Sequence, residues 1–200
     1  MKRLLILALL CLTAGMHDVS AQNWLDVLKK AATTVADEAT GGKLTQIALS
    51  GTWNYTQPSV KFEGTDLSGD LSGSLLEALI VDQLSKIYAK VGITPGTGSI
   101  TFDNGTNEFS ASAGTHTVKG TYTFDAETHA IDFQLANGKI DLGAIPSHAY
   151  LNGGELTIVF PVTRLMEIAK TLGEEVASLS TATSLLSQYE NAYIGFAFSK

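Results

Sequence analysis

Leu49, Gly51, Trp53 and Tyr55 share one parity along the chain, while Ser50, Thr52, Asn54 and Thr56 take the other. That alternation marks a strand with one buried face. Pro58 breaks the strand or places it at an edge, and Val60 and Phe62 are candidates to continue it. From Gly98 to Phe160 the pattern becomes a meander. Ile100 and Phe102 alternate with polar neighbours, and Asn104-Gly105 supplies a hairpin turn, because both central residues of such a turn need positive φ. Phe109, Ala111 and Ala113 form the next apolar face, followed by Val118, Gly120, Tyr122 and Phe124. Asp125 to Thr128 turn the chain, Ile131, Phe133 and Leu135 return, and Ile140 and Leu142 make a weaker strand. Beyond Pro146, His148 to Leu151 and Leu156, Ile158 and Phe160 give two more. Ile194, Phe196 and Phe198 close the chain with strict alternation. Short strands at this spacing, with turn residues between them, indicate an all-β barrel or sandwich. A strong last strand favours closure into a barrel, since an open apolar edge invites aggregation.

Three helical segments interrupt this pattern. Asn23 can cap a helix that carries Leu25, Leu28, Ala32, Val35 and Ala39 at helical spacing and stops at Gly41-Gly42. The segment 74–91 has a stripe of Leu76, Leu79, Ile80, Leu84, Ile87 and Val91, with Asp82 and Lys86 as an i,i+4 pair. The segment 162–189 reads as a helical hairpin, with Leu165, Ile168 and Leu172 before Gly173 and Val176, Leu179, Leu186 and Tyr189 after it.

The first residues read as a targeting segment. Lys2 and Arg3 precede an apolar run, Leu4 to Leu12, that is too short to span a bilayer, and Val19-Ser20-Ala21 offers a cleavage site before Gln22. Leu9 and Leu10 stand where a lipid-bearing cysteine normally follows Gly or Ala, so cleavage after Ala21 is favoured over anchoring at Cys11. Cys11 is the one cysteine. The mature chain therefore has no thiol or disulfide and must be held by its apolar core. The expected organisation is a signal peptide (1–21), an N-terminal helix and linker (22–48), and a barrel (49–200) with inserted helices at 74–91 and 162–189. No later segment reaches the roughly 18 consecutive apolar residues of a spanning helix, so no transmembrane helix is expected in the mature chain.

The chain has a net charge of −7. Loss of residues 1–21 removes Lys2, Arg3 and Asp18, one net positive charge, and leaves −8. No cluster of Lys or Arg occurs, which argues against nucleic acid as a partner.

A first strand with Gly51-x-Trp53, followed by a meander of about eight strands, resembles the lipocalin (calycin) architecture. The similarity extends to exported lipocalin-like domains of unknown function from Bacteroidota. It rests on the Val-Ser-Ala-Gln junction, the strand Leu49 to Tyr55, the inserted Leu/Ile-rich helix and the final strand Tyr193 to Phe198. The resemblance implies that Trp53 plugs one end of the barrel and that Gly51 allows close chain approach. In that architecture an Arg from the last strand usually stacks on the Trp. Here the last strand has none, and the mature chain's one Arg is Arg164. The helix between the first two strands is a second departure.

Candidate chemistry is sparse. The mature chain has His116, His129 and His148. If Phe124 pairs with His129, His116 lies opposite about residue 137, roughly 25 Å from His129, and the two cannot share a zinc. No Gly-x-Ser-x-Gly elbow is present and no Cys nucleophile survives cleavage. No catalytic residue, metal site or cofactor is assigned. The inward aromatic face supplies candidate ligand-binding residues: Tyr55, Phe102, Tyr122, Phe133, Tyr150 and Phe196, with Phe109, Ile158 and Phe198 as further inward positions. The sequence reads as a mainly β, antiparallel up-and-down lipocalin-like barrel, exported to the periplasm or beyond. It would be a non-catalytic binding protein for a small apolar or amphipathic ligand. The alternative is a barrel with a filled core that acts through its surface on an envelope protein.

Overall fold

The computed structural model describes residues 36–37, 39–62, 71–90, 92–114, 116–136, 144–164 and 192–200. The targeting segment, most of the first expected helix, the weak strand at Ile140 and Leu142, and the hairpin beyond Arg164 lie outside the described residues; Val162 to Arg164 are helical.

Eight antiparallel strands close into a barrel in sequence order. They are β1 (Gly51–Phe62), β2 (Gly98–Asp103), β3 (Glu108–Ala113), β4 (His116–Asp125), β5 (Ala130–Leu135), β6 (Ile145–Asn152), β7 (Glu155–Pro161) and β8 (Ala192–Ser199). Closure is made by β1, which pairs with β2 through Trp53 opposite Ile100 and with β8 through Val60 opposite Ile194. No strand among the described residues is left with an open edge. Residues directly opposite across an antiparallel pair share a face. Phe102 lies opposite Phe109, Tyr122 opposite Phe133, and Ile158 opposite Phe196, so the apolar parity of each strand falls inside.

β1 is long enough to close the barrel because it runs through Pro58. Its register slips between Tyr55 and Gln57, leaving Thr56 as an extra residue whose hydroxyl donates to the Ala197 carbonyl at 2.9 Å. The bulge switches the inward parity, from Trp53 and Tyr55 before it to Pro58 and Val60 after it, and gives a proline a tolerated place in a paired strand.

Three local features differ from the sequence expectation. The linker before β1 contains a helix, α1 (Lys43–Leu49), so Leu49 belongs to this helix and not to the strand. Its buried side is Thr45 and Leu49, four residues apart, while Ile47 points to solvent. The β2–β3 turn uses Asp103, whose carboxylate accepts the Gly105 amide at 2.8 Å, and the positive φ falls on Asn107. The Asn104-Gly105 pair is therefore part of a longer turn. At the β4–β5 turn, Phe124 pairs with Ile131 and not with His129, because His129 takes φ +57° just before β5. His116, the first residue of β4, and His129, beyond its last, stay at opposite ends of the barrel.

The expected helix after β1 is α2 (Leu71–Lys90), packed along β1. Ile80, Leu84 and Tyr88, four residues apart, form its buried stripe; Leu79, expected in that stripe, is exposed. No helix among the described residues is long and apolar enough to cross a membrane.

Trp53 closes one end of the barrel. Its ring is 2 % exposed, and its indole N–H donates to the Leu49 carbonyl at 2.9 Å, which ties α1 across that end. Lys200 covers the outside: its ammonium sits 4.5 Å from the Trp53 ring centroid and donates to the Ala48 and Ser50 carbonyls, each at 2.8 Å. Gly51 has φ +104°, a conformation that only glycine adopts without strain, where the chain passes from α1 into β1.

Candidate functional site

The barrel interior is lined by rings. Phe102 meets Tyr122 edge-on at 4.9 Å and Phe133 at 6.1 Å. Phe133 meets Phe109 at 4.9 Å and Phe160 at 6.1 Å. Phe196 lies 6.3 Å from Phe160 and 5.9 Å from Tyr55, and its other side is stacked by Tyr88 of α2 at 4.9 Å. Each buried ring stabilises the fold by about 2–3 kcal/mol through removal from water, and the edge-to-face contacts fix the ring positions.

These rings do not fill the barrel. An apolar cavity of about 400 Å³ remains, within the range of small-molecule pockets. Its floor is made by Tyr55, Phe109, Phe133, Phe160, Phe196 and Phe198. Gly120 permits that floor. It faces Phe109 across the β3–β4 pair, and a Cβ there would lie 2.9 Å from the Phe109 ring and 2.0 Å from the Gln134 carbonyl oxygen. The rim is made by smaller side chains: Ala111, Ala113, Val118, Leu135 and Ile145, with Ile93 from the segment after α2. Val118 is 48 % exposed, which marks the side on which the cavity meets solvent. Floor and rim lie about 13 Å apart, the length of the four strand residues from Gly120 to His116.

Polar groups along the wall are few. Ser99 and Ser112 touch the cavity but hydrogen-bond each other at 2.9 Å. Burial pushes the Tyr55 hydroxyl up to about 12, so it stays neutral. His116 is at the rim and exposed. No carboxylate, Lys or Arg lines the cavity among the described residues.

Of the candidate ligand-binding residues, Tyr55, Phe133 and Phe196 line the cavity. Phe102 and Tyr122 are inside the barrel but lie beneath it, packed on each other; the Tyr122 hydroxyl donates to the Asn104 side-chain carbonyl at 2.6 Å. Burial, and then the charge of Asp103, raises the Tyr122 hydroxyl above its ordinary value. Tyr150 is a correction. Opposite Thr157, it points out of the barrel, because Ala149 and Leu151 take the inward parity of β6. An outer cluster accounts for this: Tyr150 stacks on His129 at 5.1 Å, with the Lys61 ammonium 3.2 Å from its ring centroid. Phe109, Ile158 and Phe198 line the cavity as their parity implied. Phe160 and the small rim residues were overlooked as site residues, although the same parity carries Ala111, Val118 and Leu135 inward. Ile93 lies outside any strand and had no such signal.

Asp37 belongs to the same outer cluster. It accepts the Thr45 amide at 2.9 Å, the Thr45 hydroxyl, and a contact from His129 Nε2 at 3.0 Å. Burial opposes its charge, but the Thr45 hydrogen bonds and His129 outweigh that, and its carboxyl lies below the ordinary value. The Thr45 hydroxyl oxygen also accepts the Leu151 amide at 3.2 Å, so Thr45 and Asp37 together join α1 to β6 and to the β4–β5 turn. A second recess of about 800 Å³ runs past this cluster on the outside of the barrel. Its walls mix Asp37, Lys61, Glu77 and Glu155 and do not present one chemistry. No three His, Cys, Asp or Glu side chains among the described residues come together as a metal site.

Comparison with known proteins agrees with this architecture. The sequence profile of a lipocalin-like domain family, DUF4923, matches residues 25–200. A crystal structure of a DUF4847 family protein from Bacteroides vulgatus is similar at 12 % identity, covering 78 % of this chain and 96 % of that one, with a TM-score of 0.36. No curated protein matches. With a closed eight-stranded barrel, a Trp-plugged end and a profile match over nearly its whole length, the chain belongs to the lipocalin-like domain family DUF4923.

Proposed function

We propose that this protein is an exported, non-catalytic carrier that holds one small apolar or amphipathic molecule in the barrel cavity. The observation that carries this is the cavity itself: about 400 Å³, floored by six aromatic side chains and rimmed by small aliphatic ones. Ordered rings that leave a void forfeit packing contacts, and an apolar ligand restores them. Export is supported by the targeting pattern of residues 1–21.

The test is a titration of the purified protein with N-phenylnaphthylamine, a neutral dye that brightens in apolar surroundings. Saturable one-to-one binding is expected. An Ala111→Trp variant, which fills the rim, is expected to lose that binding and keep the wild-type unfolding midpoint. Absence of saturable binding by the wild type would move the function to the barrel's surface.

A further inference from the structure

The geometry points to a ligand that is anionic at one end, a medium-chain carboxylate that enters tail first and leaves its head at His116. This rests on the cavity reading and specifies it. The floor is aromatic and its one hydroxyl, on Tyr55, stays neutral, so none of the described groups within can compensate a charge. An ion buried there without a partner would be very costly. A charged or strongly polar end must therefore remain at the rim, about 13 Å from the floor. The described rim is selective in sign. Ser99 and Ser112 satisfy each other, and among the described residues no carboxylate lines the wall and His116 is the one lining side chain able to carry positive charge. It is solvent-exposed, at the first position of β4 and facing Ala113 across the β3–β4 pair, where a small neighbour leaves its ring room to turn. An imidazole donates to a carboxylate when neutral and adds a charge when protonated. Ala111, Ala113 and Val118 beside it suit the methylenes that follow the head.

The test uses decanoic acid and its methyl ester, each displacing bound N-phenylnaphthylamine, against the full chain and its H116K and H116E variants. His116 is exposed, so both variants are expected to fold, and their unfolding midpoints check this. The wild type is expected to prefer the acid over the ester by about fivefold, the scale of an exposed charge contact. H116K keeps that preference and H116E abolishes or reverses it; the acid-to-ester ratio is the readout, because a general loss of binding would not move it. Equal acid-to-ester ratios in all three proteins would overturn the assignment of His116 and leave the carrier reading standing. If the acid, the ester and N-phenylnaphthylamine all fail to bind the wild type, both fall.

Discussion

The ammonium of Lys200 lies 4.5 Å from the centroid of the Trp53 ring. A cation therefore covers the barrel plug, although the last strand contains no arginine. Lys200 follows β8 directly, and its two hydrogen bonds to Ala48 and Ser50 hold it over the ring and against the end of α1. Lysine lacks the planar guanidinium that stacks on an indole. Here the carbonyls fix its direction instead.

Lys200→Ala removes the cation and two charge-assisted hydrogen bonds at an exposed site. A loss of about 1–2 kcal/mol is expected, with Lys200→Arg close to the wild type. Urea unfolding followed by Trp fluorescence measures both. A Lys200→Ala protein as stable as the wild type would show that Lys200 does not help to hold the plug.

The Asp37 carboxyl lies below its ordinary value of 3.8. A depressed folded-state value means that its contribution is fully present above the unfolded value and is lost as pH falls through the folded one. Stability is therefore expected to fall below about pH 4. Asp37→Asn is expected to cost about 2 kcal/mol near neutrality and to flatten that acid limb. Urea midpoints for both proteins across the acid range check this. Parallel pH curves would remove Asp37 from the account.

Gly120→Ala would place a Cβ 2.0 Å from the Gln134 carbonyl oxygen, a backbone atom that cannot rotate away. A loss of about 3 kcal/mol or more is expected. At Gly154, by contrast, nothing lies within 4 Å of a new Cβ, and Gly154→Ala is expected to be mild. The difference in thermal midpoints is the readout.

Tyr88 joins α2 to the cavity wall by stacking on Phe196, and its hydroxyl donates to the Gly195 carbonyl at 3.3 Å. Burial, and then Tyr55, pushes that hydroxyl well above its ordinary value. Tyr88→Phe is expected to cost about 1 kcal/mol with dye binding unchanged. Tyr88→Ala frees Phe196 and is expected to weaken dye binding as well. Dye titrations on the two variants separate the hydrogen bond from the ring.

Much of the barrel was legible because alternation is a strong signal wherever one face is buried. Phe102, Phe109, Tyr122, Phe133, Ile158 and Phe198 all fall where their parity puts them. Tyr150 did not, because β6 has a covered outer face, with His129 and Lys61 against the ring; alternation alone does not say which side is inside. The bulge at Thr56 was hidden for a related reason: a parity switch resembles a break when a proline follows. Helix α1 is too short to show a period, and its buried side includes the polar Thr45. The cavity was the least legible feature. It depends on how far each ring reaches across the barrel, and so on Gly120 and on the contact of Tyr88 with Phe196, neither of which a strand pattern encodes.

The most direct measurement is native mass spectrometry of the protein purified from its own cells, compared with its denatured mass. Mass above the chain that disappears on denaturation, and is absent from Ala111→Trp, is expected. The mass of the chain alone, under conditions where added N-phenylnaphthylamine stays bound, would contradict a resident apolar ligand.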